Sequence, residues 1–218
     1  MIKTKIFTFG IIVLLGIFGC FSSDKSKVDD SILIEKEEVE CSESIDEEID
    51  VTFDMVKALS DTNTMGYKLF DKAYNYLNVP YSFNGRSNKK IDCMGLVFLA
   101  YTDVTGKRWQ DLSVSPKQLI KSGKLGKAVE GFEGVIAKNA DFTKLKVGDI
   151  IYLLFDYKCN NEGATVTIAE KDYWVWHMGL YAGMHNNEPY WLEANPGRYV
   201  MLQRMTNQPF DALIATRP

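Results

Sequence analysis

The chain has 218 residues, 46% of them hydrophobic and 12% aromatic, with a formal net charge of −4. That length suits one domain with appendages, and so much apolar side chain excludes a wholly disordered protein. Residues 51–218 alone carry 20 Lys and Arg against 17 Asp and Glu, a balance of about +3 with nothing that points to a nucleic-acid partner.

The first twenty residues, MIKTKIFTFGIIVLLGIFGC, place Lys3 and Lys5 ahead of an apolar stretch over 6–18. A short basic segment followed by an apolar run too short for a comfortable span predicts an export signal. The run ends in I-F-G-C, which resembles a bacterial lipobox, so Cys20 is the expected lipidation site, holding the protein on a membrane outside the cytoplasm. A diacyl modification would supply the anchoring that one chain alone does not. From Asp29 to Asp50 there are eleven acidic residues against one lysine, Lys36. Residues 21–50 are therefore expected to be a solvated, disordered tether. The folded domain is expected over 51–218. With Cys20 lipidated, an odd set of three cysteines remains, Cys41, Cys93 and Cys159, so at least one thiol is free or pairs between chains. A Cys41–Cys159 disulfide is the conceivable internal bridge.

Helical periodicity runs over 52–77 in two pieces, split at Asp61-Thr62-Asn63 and Gly66 and stopped by Asn78-Val79-Pro80. Asp92 is a good N-cap for a third helix that starts at Cys93, runs to about Asp103 and ends at Gly106. Its residues Leu96, Val97, Leu99, Ala100 and Tyr101 make it apolar on most sides, which predicts a central, buried helix. A short helix is expected at 116–122. The last third reads as strands: 148–155, 175–183, 189–195, 199–205 and 211–218. The second and third of these form a hairpin about a Met-His-Asn-Asn-Glu loop at 184–188. Helices first and strands later is an α+β order, with the helices packed on an antiparallel sheet.

Three features carry chemistry. A thiol attacks as thiolate, which the N-terminus of a helix favours, and Cys93 opens the most apolar helix of the chain. It needs a base, and there are two histidines. His185 falls in the expected loop, where polar residues are ordinary. His177 interrupts an apolar strand, where an imidazole is costly without partners, and Gly179 on the same face leaves room for a neighbouring element. The hairpin then brings Glu193 or Asn195 across from His177, depending on a register shift of two. Either could orient the imidazole.

The motifs V-P-Y-S-F-N-G-R-S, I-D-C-M-G-L-V-F-L-A-Y, L-K-V-G-D-I-I-Y and H-M-G-L-Y-A-G, in that order, resemble the NlpC-type cell-wall cysteine peptidases over about residues 65–218. The resemblance implies a papain-like fold and hydrolysis of peptide or amide bonds in peptidoglycan stem peptides. It makes Cys93 the nucleophile and His177 the base, oriented by Glu193 or Asn195. Tyr81 matches the family's tyrosine after proline and Asp92 its aspartate before the cysteine, both at the substrate-binding end. Met94 stands where the family has a serine that helps recognise substrate. Glu193 stands where it has His, Asn or Gln, and a Glu and an Asn two apart also look like the CHAP amidase group. An amide hydrolase acting on a non-wall substrate is an alternative, and a non-catalytic wall-peptide or partner-binding module is the reading of a different class. No metal-ligand cluster or phosphate-binding glycine loop appears, so no metal or cofactor is implied.

Overall fold

The structure is a computed structural model that describes residues 51–112 and 115–218. The expected export signal, Cys20, the acidic tether and Cys41 lie outside the described residues. The chain opens with α1 (Phe53–Ala58) and α2 (Met65–Tyr74), capped by Thr52 and Thr64, whose hydroxyls accept from Met55 N and Tyr67 N. Leu69, Phe70 and Ala73 on α2 are completely buried. A small two-stranded ribbon, β1 (Arg86–Ser87) and β2 (Lys90–Ile91), leads into α3 (Cys93–Thr105). Then come α4 (Pro116–Ser122), β3 (Lys127–Ala128) and β4 (Val135–Ile136), followed by β5 (Ile150–Phe155) and β6 (Val166–Ile168). The long strand β7 (Lys171–His185), β8 (Glu188–Ala194), β9 (Val200–Arg204) and β10 (Ala212–Arg217) complete the chain.

The main sheet runs in the order β3-β10-β5-β7-β8-β9, with β4 also on β10 and β6 on β7, and all of its pairings are antiparallel. This is the α+β arrangement expected from the sequence, with the cysteine-bearing helix among the helices that pack on the sheet. One apolar cluster joins α2 and α3 to Ile150, Tyr152, Leu154, Met178 and Leu192. The other face of the sheet holds a second cluster, with Ile151, Leu153, Tyr181, Trp191, Leu213 and Ala215 meeting Phe132 and Met205. Alternate residues of β5 thus serve two cores, which is why the strand reads as a continuous apolar run. Among the described residues no helix is long and apolar enough to cross a membrane.

Two departures from the sequence reading concern the hairpin. Its strands reach His185 and resume at Glu188, so the turn is Asn186-Asn187 alone, both with positive φ (51° and 62°). Asparagine tolerates that conformation, and such a two-residue turn matches the twist of the strands it joins. His185 is therefore not a solvated loop residue. It is buried, its Nε2 bonded to the Ala182 carbonyl at 3.1 Å and its ring edge-on to Tyr190. Residues between the expected strands 148–155 and 175–183 also form structure, because β6 pairs with the first residues of β7.

The Gly-Asp pair before β5 fixes the corner between helices and sheet. Asp149 is buried, accepts from Lys146 N at 2.8 Å and takes both Arg217 Nε and Nη2 at 2.9 and 2.7 Å. Gly148 has φ +84°, and a Cβ there would lie 1.9 Å from the carbonyl oxygen of Gly66 in α2. Gly148→Ala is expected to cost on the order of 3 kcal/mol or more, combining left-handed strain with a backbone clash. Urea unfolding checks this, and a loss below about 1 kcal/mol would mean that the α2–β5 contact yields easily.

Candidate active site

Cys93 is the first residue of α3, placed there by the Asp92 cap. Asp92 is 4% exposed, its Oδ1 accepting from Gly95 N at 2.7 Å and its Oδ2 from Asn84 N at 3.0 Å. Arg86 forms an ion pair with the same carboxylate and lies over the rings of Phe98 and Trp109. Asp92 thereby ties the 82–85 turn to the helix start, and its visible work is to hold the cysteine's backbone. Gly95 permits that approach: a Cβ there would lie 2.2 Å from the Gly85 carbonyl oxygen.

The half-buried Cys93 adjoins His177, close enough for its thiol and charge to act on the imidazole. Nε2 of His177 is taken by Oε2 of Glu193, so Nδ1 is the nitrogen left for sulfur. A bulge contributes to the aim of the imidazole. Leu153 faces His177 and Leu154 faces Val175, so Trp176 is an extra residue in β7. Bulges turn side chains away from regular alternation, often beside reactive sites. Trp176 stacks on the His177 ring at 5.0 Å and Trp191 meets it edge-on at 5.3 Å. Trp191 also fills the space above Gly179, where a Cβ would come within 2.8 Å of its ring. The imidazole is 1% exposed and walled by two indoles.

Gly179 is the direct partner of Glu193, so the carboxylate reaches His177 on the diagonal, two residues along. Asn195, just past the end of β8, bonds Glu193 instead, its Nδ2 donating to Oε1 at 3.3 Å. Of the two residues left open by the sequence, Glu193 is the one in contact with His177. Burial alone would lower the pKa of His177. Hydrogen bonds to Cys93 and Glu193, and the charges of both, outweigh it and raise the value to about 9.

Tyr81 is half-buried and anchored by its N–H to the Arg198 carbonyl at 2.9 Å. Burial first, then the negative charges of Cys93 and Asp92, raise its phenol, with Arg86 opposing. The phenol is thus held protonated, as a donor in the vicinity of sulfur. Met94 is 8% exposed and belongs to the cluster around α3. Among the described residues there is no group of three or more His, Cys, Asp or Glu that could hold a metal. A larger cavity of about 500 Å³, lined by Leu59, Phe142, Leu145, Val147, Tyr181 and Met184 among others, includes neither Cys93 nor His177. Trp176, Trp191, Gln203 and Gln208 complete the surroundings of the His177–Glu193 pair, and the sequence reading singled out none of them.

No protein-family model and no curated protein matches the chain. Solved structures do. The NlpC/p60 domain of the peptidoglycan hydrolase SagA is 18% identical, over 70% of this chain and 98% of that one, with a TM-score of 0.43. NlpC1 from Trichomonas vaginalis is 21% identical over 72% of this chain and 45% of that one, TM-score 0.44. An N-acetylmuramoyl-L-alanine amidase from Bacteroides uniformis is 12% identical over 69% and 99%, TM-score 0.46. The chain is similar to NlpC/p60-domain structures.

Proposed function

We propose that the protein is an exported cysteine hydrolase, lipid-anchored through Cys20, that cleaves peptide or amide bonds in peptidoglycan stem peptides. The observation that carries the hydrolase reading is the His177–Glu193 bond with Cys93 beside the imidazole, its sulfur at the head of a buried helix. The wall as substrate is supported by the motifs over residues 65–218, which resemble those of NlpC-type peptidases.

In the first step the Cys93 sulfur attacks the carbonyl carbon, and electrons move to the carbonyl oxygen. The backbone N–H of Cys93 and the phenol O–H of Tyr81 are the donors for that oxyanion. His177, carrying the proton taken from sulfur, gives it to the leaving amine as the C–N bond breaks, which leaves a thioester on Cys93. Water then adds to the thioester, losing its proton to His177, and collapse returns the thiol and a carboxylic acid. Glu193 stabilises the imidazolium and fixes its plane. No step calls for a cofactor.

Glu193 behind the imidazole, with Asn195 bonded to it, favours a CHAP-like amidase specificity as the second reading. Digesting purified sacculi with the protein, with and without prior iodoacetamide treatment, tests the main proposal. Release of peptide fragments that alkylation abolishes is the expected result, and mass analysis of the new termini separates stem-peptide cleavage from amidase cleavage. No release from fresh protein, or equal release after alkylation, sinks the hydrolase reading.

A further inference from the structure

His177 engages one oxygen of the Glu193 carboxylate, Oε2. The other, Oε1, accepts from three side-chain amides: Asn195 Nδ2 at 3.3 Å, Gln208 Nε2 at 2.8 Å and Gln203 Nε2. Gln203 sits on β9 two residues beyond Met201, the direct partner of Glu193, and so shares its face of the sheet. Gln208 follows the short turn Met205–Asn207 after that strand. Asn207 from the same turn donates to Gln203 Oε1 at 3.3 Å, which sets the end of the Gln203 amide that faces the carboxylate. These amides and Arg198 line a polar cavity of about 400 Å³ behind the Glu193–His177 pair.

Such a concentration of amides on one buried oxygen is a mechanical arrangement. A glutamate carboxyl turns about a broad terminal torsion, so nothing in its own stereochemistry aims Oε2 at a particular ring nitrogen. Three donors on Oε1 and one on Oε2 match a carboxylate, which only accepts. Glu193 is completely buried and Gln203 is 8% exposed, so each would be costly to leave without these partners.

We propose that Gln203 and Gln208 are positioning residues that clamp one oxygen of Glu193 so that the other stays aimed at His177. The proposal rests on the hydrolase reading for its functional meaning, but its geometry can be tested without any substrate. The groups facing His177 are Cys93 from α3, Glu193 from β8 and the uncharged rings of Trp176 and Trp191. Burial is the strongest influence and acts to lower its pKa. If the carboxylate loses its aim, only Cys93 is left to oppose burial, and the pKa falls.

The chain has two histidines, so selective 15N labelling of histidine in the full-length protein gives two imidazole spin systems to titrate. In the wild type, His177 is expected to stay protonated up to about pH 9, with its Nε2 proton far downfield. In Gln208→Leu and Gln203→Leu the titration midpoint is expected to fall by about one pH unit each, the size of one lost hydrogen bond to a charged group, with the downfield proton moving upfield. Gln208 is half-buried, so its variant decides the matter alone should Gln203→Leu fail to fold. A midpoint that stays or rises in folded Gln208→Leu overturns the clamp. Iodoacetamide reactivity of Cys93 is recorded on the same samples. Wild-type Cys93 reacting no faster than free cysteine would count against the hydrolase reading, while the histidine titration still judges the clamp.

Discussion

Cys93→Ala is expected to abolish cleavage of wall peptides, a loss on the order of 10⁶-fold from loss of the nucleophile. The fold should survive: Cys93 is half-buried at the first position of α3, and the bonds that start the helix come from Asp92 and Gly95, which the substitution leaves alone. A change of about 1 kcal/mol in stability is the ordinary cost of such a replacement. His177→Ala should cost nearly as much activity, and the double variant no more than either single one, because nucleophile and base act as a unit. The informative comparison is binding. A wall-peptide binding module would lose nothing, and Cys93→Ala would bind and leave its ligand intact as the wild type does. Hydrolysis by purified Cys93→Ala at more than a trace of the wild-type rate would remove sulfur from the chemistry.

The parts of the site legible in the sequence were those fixed by local rules. Asp92 before an apolar run and Gly106 after it gave α3 from cap to left-handed end, because capping depends on residues within one helical turn. His177 stood out as a polar residue in an apolar strand, and strand periodicity put Glu193 and Asn195 on its face. Periodicity of two cannot choose between residues two apart. That choice depends on where the turn falls and on the extra residue in β7. Reading Met184 to Glu188 as one loop, instead of Asn186-Asn187 as a two-residue turn, also misplaced His185. Gln203 carried the same kind of signal as His177, a polar side chain within an apolar strand. Its partner lies on β8, however, and only the β8–β9 register shows it. Trp176 stacks on its chain neighbour because of the bulge, a local break in alternation that pattern reading treats as noise.

The pH dependence of stability follows from the same pair. His177 has a pKa of about 9 in the folded chain against an ordinary 6.5, so its contacts favour the protonated form. Below pH 6.5 the imidazole is protonated whether folded or not, and the full stabilisation is present. It declines as pH rises between the two values and is gone above about 9. A shift of that size corresponds to about 3 kcal/mol. Urea unfolding at pH 6 and pH 10 should therefore show the wild type losing more stability than Glu193→Leu, by up to about that much. The variant lacks the carboxylate that does much of the raising, and leaves the amides of Gln203 and Gln208 without their acceptor. At pH 6 it should already be less stable by about 3–5 kcal/mol, the usual result of breaking a buried ion pair from one side. Tyrosines and lysines also titrate towards pH 10, but they do so in both proteins and cancel in the difference. Parallel losses in wild type and variant would show that Glu193 does not hold the His177 proton, and the imidazolium would then have to be stabilised by Cys93 alone.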